Sequence, residues 1–464
     1  MVARRPLLAP LFAVAVLALS TPLAAAVPPC VAVPVANDRC PAWTATEPGD
    51  RTEAVATTAT DDRVFIAGSV EGDSYAMDVV ALAAPTGQEL WTRRVDGAVT
   101  ALLYRHSLTV SPDGSQLLFM ASTESRDFLV VALDPASGGV LWRTEYDGGG
   151  WDHARSLAVS PDSSEVYVTG TSEHRAGNLV LVALSAGDGG IEWTVRYRGP
   201  ATSWGADAGY AVRVAPDGER VYVSGRSSGN SSWDLLALAY DVPDEDEEPS
   251  PTWAWARRFS PAQNVGLASR VGLGVSGDGS RVVIAGEGDN NFWTVAYAAG
   301  DGAKLWDAEL HGTLLSEGWF STLDESKVEI EGGRVFVATS KAWDPGPLLA
   351  SYDLATGEEL WTTRYLAGPP LETADMVLAP DGSTIYTLAS TMDATYGTSV
   401  AAFDPDTGDQ LWVGRLTSPV EDIFGNDLAI SPSGETLVAT GASRAFDPQA
   451  QAYARDFLTW SYAT

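Results

Sequence analysis

The feature that most constrains the fold of this chain is a short stretch that recurs along it. The segment "YDLATGEELWTTRY" at 352–365 recurs at 82–95, 133–146 and 403–416, with looser copies at 184–197 and 297–310. Its tryptophan returns at eight positions, and four of the seven intervals between them are 51 residues: Trp43, Trp91, Trp142, Trp193, Trp255, Trp306, Trp361 and Trp412. Repetition at such a period indicates an array of one structural unit.

Each unit carries further elements in a constant order. A turn such as "SPDG" at 111–114 leads into an alternating run such as "VYVTG" at 166–170, and a third run such as "DFLVVAL" at 127–133 comes before the tryptophan strand. Four short strands and no helical period are typical of propeller blades. The chain is therefore predicted to be all-β, an eight-bladed β-propeller whose repeat tryptophans are buried between adjacent blades. The fifth residue of the alternating run is always small, which predicts close backbone approach between neighbouring units.

The two ends of the array are out of phase. The chain finishes on a third strand, "DFLTWSY" at 456–462, and begins with a tryptophan strand, "AWTATEPG" at 42–49. We therefore expect the N-terminal strand to complete the last blade and close the ring, which leaves no free sheet edge.

Residues 1–26 have the pattern of a secretion signal: arginines at 4 and 5, an apolar core, and small residues before the cleavage point. Residues 27–41 form a tail with two cysteines, and 42–464 the propeller. Export allows a disulfide between Cys30 and Cys40; lipid attachment at Cys30 is the alternative. The expected location is secreted or cell envelope.

The net charge of −32 argues against nucleic-acid binding, because such a surface repels phosphate. No later segment is apolar and long enough to cross a bilayer, and we expect a monomer.

The tryptophan hairpins, "SYDLATGEELW" and "AAFDPDTGDQLW", resemble the repeats of the pyrroloquinoline-quinone (PQQ)-dependent alcohol dehydrogenases. The "SPDGxxVYVTG"-type stretches resemble bacterial surface β-propeller repeats. The dehydrogenase resemblance implies a quinone held by adjacent cysteines and a stacking tryptophan, with calcium on acidic side chains. Here the two cysteines are neither adjacent nor within the propeller, so PQQ and calcium stay alternatives and no cofactor or metal site is predicted. The same repeats also occur in an eight-bladed, non-enzymatic outer-membrane assembly lipoprotein.

The connections from a fourth strand to the next first strand are long and aromatic, and the propeller plan places them on one face. Three tryptophans there lie outside the repeat position, beside two of the four histidines and several carboxylates. The candidate ligand-binding residues are Trp151, Asp152, His153, Trp204, Asp207, His311, Trp319, Asp375 and Asp427. The alternative is that the aspartates cap turns, which the equivalent positions of Asp152 and Asp207 favour.

These observations predict a binding or scaffold protein whose partner is a small molecule, a glycan or a protein. No catalytic residue is assigned. The alternatives are a quinoprotein-type oxidoreductase and a hydrolase or lyase acting on an extracellular polymer.

Overall fold

The computed structural model describes residues 39–47, 51–70, 73–98, 107–172, 178–200, 207–229, 233–243, 251–260, 269–288, 291–310, 326–339, 348–364, 371–391, 397–417, 422–447 and 452–464. Within these residues the chain forms 32 β-strands and no helix. The strands make eight four-stranded antiparallel sheets, so the eight-bladed β-propeller is confirmed.

Seven blades are built from consecutive strands. Blade 1 contains β2 (Arg51–Ala59), β3 (Arg63–Val70), β4 (Asp73–Ala83) and β5 (Glu89–Asp96), and blade 2 contains β6 (Leu108–Val110), β7 (Leu117–Ser122), β8 (Phe128–Leu133) and β9 (Val140–Tyr146). Blade 3 contains β10 (Asp152–Val159), β11 (Glu165–Ser172), β12 (Asn178–Ser185) and β13 (Ile191–Tyr197). Blade 4 contains β14 (Ala208–Val214), β15 (Arg220–Ser228), β16 (Trp233–Asp241) and β17 (Thr252–Phe259). Blade 5 contains β18 (Ser269–Val275), β19 (Arg281–Gly288), β20 (Asn291–Ala298) and β21 (Lys304–Leu310). Blade 6 contains β22 (Lys327–Glu331), β23 (Arg334–Thr339), β24 (Leu348–Asp353) and β25 (Glu359–Arg364). Blade 7 contains β26 (Leu371–Leu378), β27 (Ile385–Thr391), β28 (Gly397–Phe403) and β29 (Gln410–Thr417).

Blade 8 joins the two ends of the chain. It contains β30 (Asp422–Ile430), β31 (Thr436–Asp447), β32 (Ala452–Ala463) and the N-terminal strand β1 (Trp43–Glu47). The strand β1 pairs antiparallel with β32, from Trp43 opposite Ser461 to Glu47 opposite Phe457. The predicted closure by the N-terminal strand is therefore confirmed. Cys30 lies outside the described residues, so its pairing with Cys40 stays a prediction.

Alternation of strand direction gives the propeller two faces. The first strands of neighbouring blades contact one another around the axis. The connections between blades and the hairpins between second and third strands share one face, which we call the loop face. The "SPDG" turns and the hairpins between third and fourth strands share the opposite one, the turn face.

Six of the eight repeat tryptophans lie against a turn glycine of the next blade. The Trp306 indole nitrogen donates to Leu354 O at 2.9 Å, and a Cβ placed on Gly357 would lie 2.6 Å from the indole ring. Gly357 has φ +75°, a backbone conformation that costs a residue with a side chain about 1–2 kcal/mol. The motif Asp-x-x-Thr-Gly-x-x-x-Trp is therefore an interblade contact, as predicted, in which the turn glycine supplies a flat surface for the preceding blade's indole.

The last interblade contact is built differently, because blade 8 has no hairpin before its fourth strand. Trp412 instead packs against Tyr462, with ring centroids 5.4 Å apart, and the Arg39 guanidinium lies 4.9 Å from its ring centre. The Arg39 backbone N–H donates to Val413 O at 2.8 Å. Residues just before β1 thus replace the glycine turn at the closure.

The small-residue position has a different cause from the one predicted. A Cβ on Gly170 would lie 1.9 Å from His153 O, and one on Gly225 would lie 2.1 Å from Ala208 O. Both carbonyls belong to the first strand of the same blade, next to a β-bulge. The close approach is therefore mainly within a blade, where the bulge presses a carbonyl onto the second strand, and the prediction of an approach between units was wrong on this point.

Candidate functional site

Two of the candidate aspartates stand at the rim of the loop face. Asp152 begins β10 and is fully buried, and its Oδ2 accepts the Gly148 N–H at 2.5 Å. Asp207 directly precedes β14, and its carboxylate accepts the N–H groups of Gly199 at 2.6 Å and Ser228 at 3.0 Å. Each carboxylate therefore fastens the connection that enters its blade. Their equivalent positions in the sequence reflect this shared structural role.

The other two candidate aspartates lie deeper than the rim. Asp375 and Asp427 follow the bulges of β26 and β30, halfway along these first strands, and both are buried. Asp375 Oδ2 accepts the Leu428 N–H of the next blade at 3.0 Å. The candidate carboxylates, which were predicted on one face, therefore occupy two levels, because the bulge places the side chain of the following residue below the loop face.

Asp375 is also part of a charged group near the axis. Its Oδ1 lies 2.9 Å from Lys327 Nζ, and both side chains are almost fully buried. Burial raises the pKa of the nearby Glu329 carboxyl, while the charges of Arg213 and Lys327 oppose this rise. A buried ion pair of this kind fixes geometry more than it adds stability. The Asp375 carboxylate is thus already held by a lysine and by backbone N–H groups.

Trp151 is the candidate that remains open to solvent. It precedes β10 on the loop face and exposes 53% of its surface. The Arg126 guanidinium lies 4.0 Å from the ring centre, and Arg126 O accepts the Asp152 N–H at 2.6 Å. A hairpin of blade 2 therefore holds the indole in place by a cation–π contact. His153 follows on β10 and is half-buried.

The remaining candidates, Trp204, His311 and Trp319, lie outside the described residues. Their predicted position on the loop face therefore stays a prediction.

The structure adds an acidic cluster that sequence reasoning missed. One carboxylate oxygen each of Asp127, Asp147 and Asp152 lies within 4.8 Å of the other two. Burial raises the pKa of the Asp127 carboxyl, and the charge of Asp147 raises it further. Asp127 belongs to a hairpin between second and third strands, so the interblade connections alone did not point to it. The repeat did contain an indication that this blade is unusually acidic. The third residue after the tryptophan is arginine in five units, but in blade 2 it is Glu145.

The turn face carries a cleft of about 1100 Å³ beside Trp193. The hairpin that would cover this tryptophan belongs to blade 4, where the insertion at 241–252 replaces the glycine turn. The Trp193 indole nitrogen has no hydrogen-bond partner among the described residues. Partial burial, a hydrogen bond to Glu165 and the charge of Glu165 raise the pKa of the neighbouring Glu192 carboxyl to about 7.

Comparison with solved structures agrees with this architecture. BamB from Moraxella catarrhalis is 15% identical, with 89% of this chain and 99% of that chain covered at a TM-score of 0.51. The quinohemoprotein alcohol dehydrogenase ADHIIG from Pseudomonas putida HK5 is 12% identical, covering 91% and 76% at a TM-score of 0.59. A europium-containing methanol dehydrogenase is 11% identical, covering 91% and 93% at 0.57. At these identities the likeness shows the fold alone.

A search of curated protein sequences found no match. No helix that could span a membrane occurs in the described part of the chain. A sequence profile for the family described as "Outer membrane protein assembly factor BamB" matches residues 126–254 and 249–445, which together are more than half of the chain. The eight-bladed ring, its tryptophan–glycine interblade contacts and this match lead to one conclusion: the chain belongs to the outer membrane protein assembly factor BamB family.

Proposed function

We propose that this protein is a secreted or envelope-associated scaffold that binds a protein partner on its loop face. The observation that carries the proposal is Trp151, an indole with half of its surface exposed and an arginine stacked on it. Tryptophan and arginine are the residue types most enriched at the energetic centres of protein interfaces. An exposed indole offers a large contact area at a small cost in conformational entropy.

Family membership supports an interaction role. The family description names an assembly factor of outer membrane proteins, which implies function through contact with other proteins. The N-terminal pattern of residues 1–26 supports export, with a tail at 27–41 and the propeller at 42–464.

The residues present do not fit the quinone site that the dehydrogenase resemblance implies. The chain has only two cysteines, ten positions apart and before the first propeller strand. Asp375, a carboxylate near the axis, is paired with Lys327 and accepts backbone N–H groups. We therefore derive no reaction step through a quinone, and the quinoprotein and polymer-cleaving alternatives rank below binding.

A photo-cross-linking experiment tests the scaffold proposal. A photoreactive amino acid replaces Trp151 in one variant and Leu360 in the control, since Leu360 is 45% exposed on an outer strand of blade 6. Irradiation of producing cells should give a discrete adduct with one protein at position 151 and none at 360. Equal labelling at the two positions would contradict a specific surface.

A parallel assay addresses the oxidoreductase alternative. Purified protein is mixed with PQQ and calcium, then tested for thermal stabilisation and for dye-linked oxidation of alcohols and sugars. The scaffold proposal expects no oxidation and no stabilisation by the quinone at a fixed calcium concentration. Turnover in this assay would overturn the proposal in favour of the oxidoreductase.

A further inference from the structure

Three carboxylates of blades 2 and 3 meet at the loop face. Asp127 comes from the hairpin before β8, Asp147 from the connection after β9, and Asp152 from the start of β10. Among the described residues, none of the three forms a salt bridge. Two arginines of the neighbouring segments are engaged elsewhere: Arg126 stacks on Trp151, and Arg196 donates to Gly148 O at 2.8 Å.

The repeat itself shows how this position is neutralised in another blade. Asp234 in blade 4 is at the position of Asp127 in blade 2. Each lies five residues before the third-strand residue that pairs with the repeat tryptophan of the fourth strand. Asp234 forms an ion pair with Arg258 of the fourth strand. In blade 2 the residue at the arginine position is Glu145, which is paired instead with Arg143 at 2.8 Å. Blade 2 has therefore exchanged the neutralising arginine for a further acid.

Two buried side-chain oxygen atoms, Asp152 Oδ1 and Ser172 Oγ, lie beside the segment that carries Asp147. Asp152 and Ser172 face each other across β10 and β11, and both are fully buried. Asp152 Oδ1 and Ser172 Oγ have no hydrogen-bond partner among the described residues. A Cβ on Gly148, the residue after Asp147, would lie 2.4 Å from Ser172 Oγ and 2.6 Å from Asp152 Oδ1. Both oxygens thus lie beside Gly148, in the segment that carries Asp147.

The equivalent site in the next blade is satisfied by the protein alone. There the corresponding atom, Asp207 Oδ1, accepts the Ser228 N–H at 3.0 Å. Among the described residues, blade 3 offers the Asp152 oxygen no such donor, and residue 173, the counterpart of Ser228, lies outside them. A buried carboxylate oxygen without a donor is costly unless a ligand completes it.

We propose that Asp127, Asp147 and Asp152 bind a hard divalent cation, calcium, at the junction of blades 2 and 3. Carboxylate and hydroxyl oxygens are the ligands that calcium prefers, and its coordination tolerates irregular geometry. Two of the carboxylates lie on the connection that displays Trp151, and the third lies on the hairpin that carries Arg126. The ion therefore fastens the hairpin to the connection and holds the exposed indole.

A pair of matched variants tests this site. Asp147→Asn removes one exposed carboxylate but keeps the oxygen that accepts the Gly149 N–H at 2.7 Å. Asp96→Asn makes the same change at the equivalent exposed position of blade 1, five residues after its tryptophan. Melting temperatures of the full chain are measured in chelator, in calcium and in magnesium.

Calcium at a hundredfold excess over its dissociation constant should raise the melting temperature of the wild type and of Asp96→Asn by about 3 °C. The Asp147→Asn variant should lose this response. In chelator it should melt above the wild type, because one of three mutually repelling charges is gone. Magnesium should give a smaller rise, because it demands a regular octahedral site.

Terbium luminescence gives a readout independent of stability. Trp151 directly precedes Asp152, so bound terbium should be sensitised by excitation of tryptophan. The signal should be displaced by calcium and be absent in Asp147→Asn. An equal calcium response in both variants would mean diffuse binding to the acidic surface. No response in the wild type by either method would also overturn the proposal.

Discussion

Replacing the buried Trp142 should destabilise the propeller more than replacing the exposed Trp151. Trp142 exposes only 7% of its surface, and its indole nitrogen donates to Ala186 O of the next blade at 2.8 Å. Burial of roughly 200 Å² at about 25 cal/mol per Å² gives about 5 kcal/mol. This agrees with the range of about 3–5 kcal/mol for removing a buried large aromatic side chain.

The same arithmetic gives a smaller cost at Trp151. About half of this indole stays in water, and its contact in the fold is the stacked Arg126 guanidinium. We expect Trp151→Ala to cost about 3 kcal/mol, of which about 2.5 kcal/mol comes from half the buried area and the rest from an exposed cation–π contact.

Urea unfolding followed by circular dichroism measures both variants against the wild type, with Trp142→Phe as a conservative control. The phenylalanine keeps most of the apolar contact with the Gly189 turn but loses the hydrogen bond to Ala186, so its cost should be intermediate. Equal destabilisation by the two alanine variants would refute the assignment of Trp142 to blade packing and of Trp151 to the surface.

Three other predictions follow from single contacts. Gly357→Ala should cost at least about 2 kcal/mol in unfolding free energy, because it combines a positive φ with a collision against Trp306. Glu192→Gln should flatten the pH dependence of the melting temperature. The pKa of the Glu192 carboxyl is about 7 in the folded protein, above its usual 4.5, so the folded state holds this proton more tightly than the unfolded state. The stability that the protonated carboxyl contributes is therefore complete at low pH and is lost as the pH rises from 4.5 through 7. Parallel wild-type and variant profiles between pH 4 and 8.5 would contradict this. Mass spectrometry of secreted protein should find Cys30 joined to Cys40; two free thiols, or a lipid on Cys30, would contradict the pairing.

The repeat allowed most of the fold to be predicted, because each blade is specified by local features. Alternating runs, "SPDG" turns and the tryptophan–glycine motif define a blade, and the count of tryptophans defines the ring. The phase of the two ends was enough to predict the pairing of β1 with β32, since an unpaired strand edge is unfavourable.

The depth of the candidate carboxylates was not predictable in the same way. Asp375 and Asp152 both follow interblade connections in the sequence, but a bulge places Asp375 halfway along its strand. The ion pair of Asp375 with Lys327 joins neighbouring blades, which sequence spacing does not show. Asp127 was missed for a related reason, since it meets Asp147 and Asp152 only where a hairpin lies beside a connection on the same face.

The most direct test of the scaffold account is the affinity of the cross-linked partner for purified variants. Trp151→Ala should weaken binding about thirtyfold, the equivalent of about 2 kcal/mol for a residue at the centre of an interface. Arg126→Ala should weaken binding in the same direction, and Leu360→Ala should leave it unchanged, as measured by titration calorimetry. Equal affinities for the wild type and Trp151→Ala would contradict the claim that the loop face around Trp151 is the binding surface.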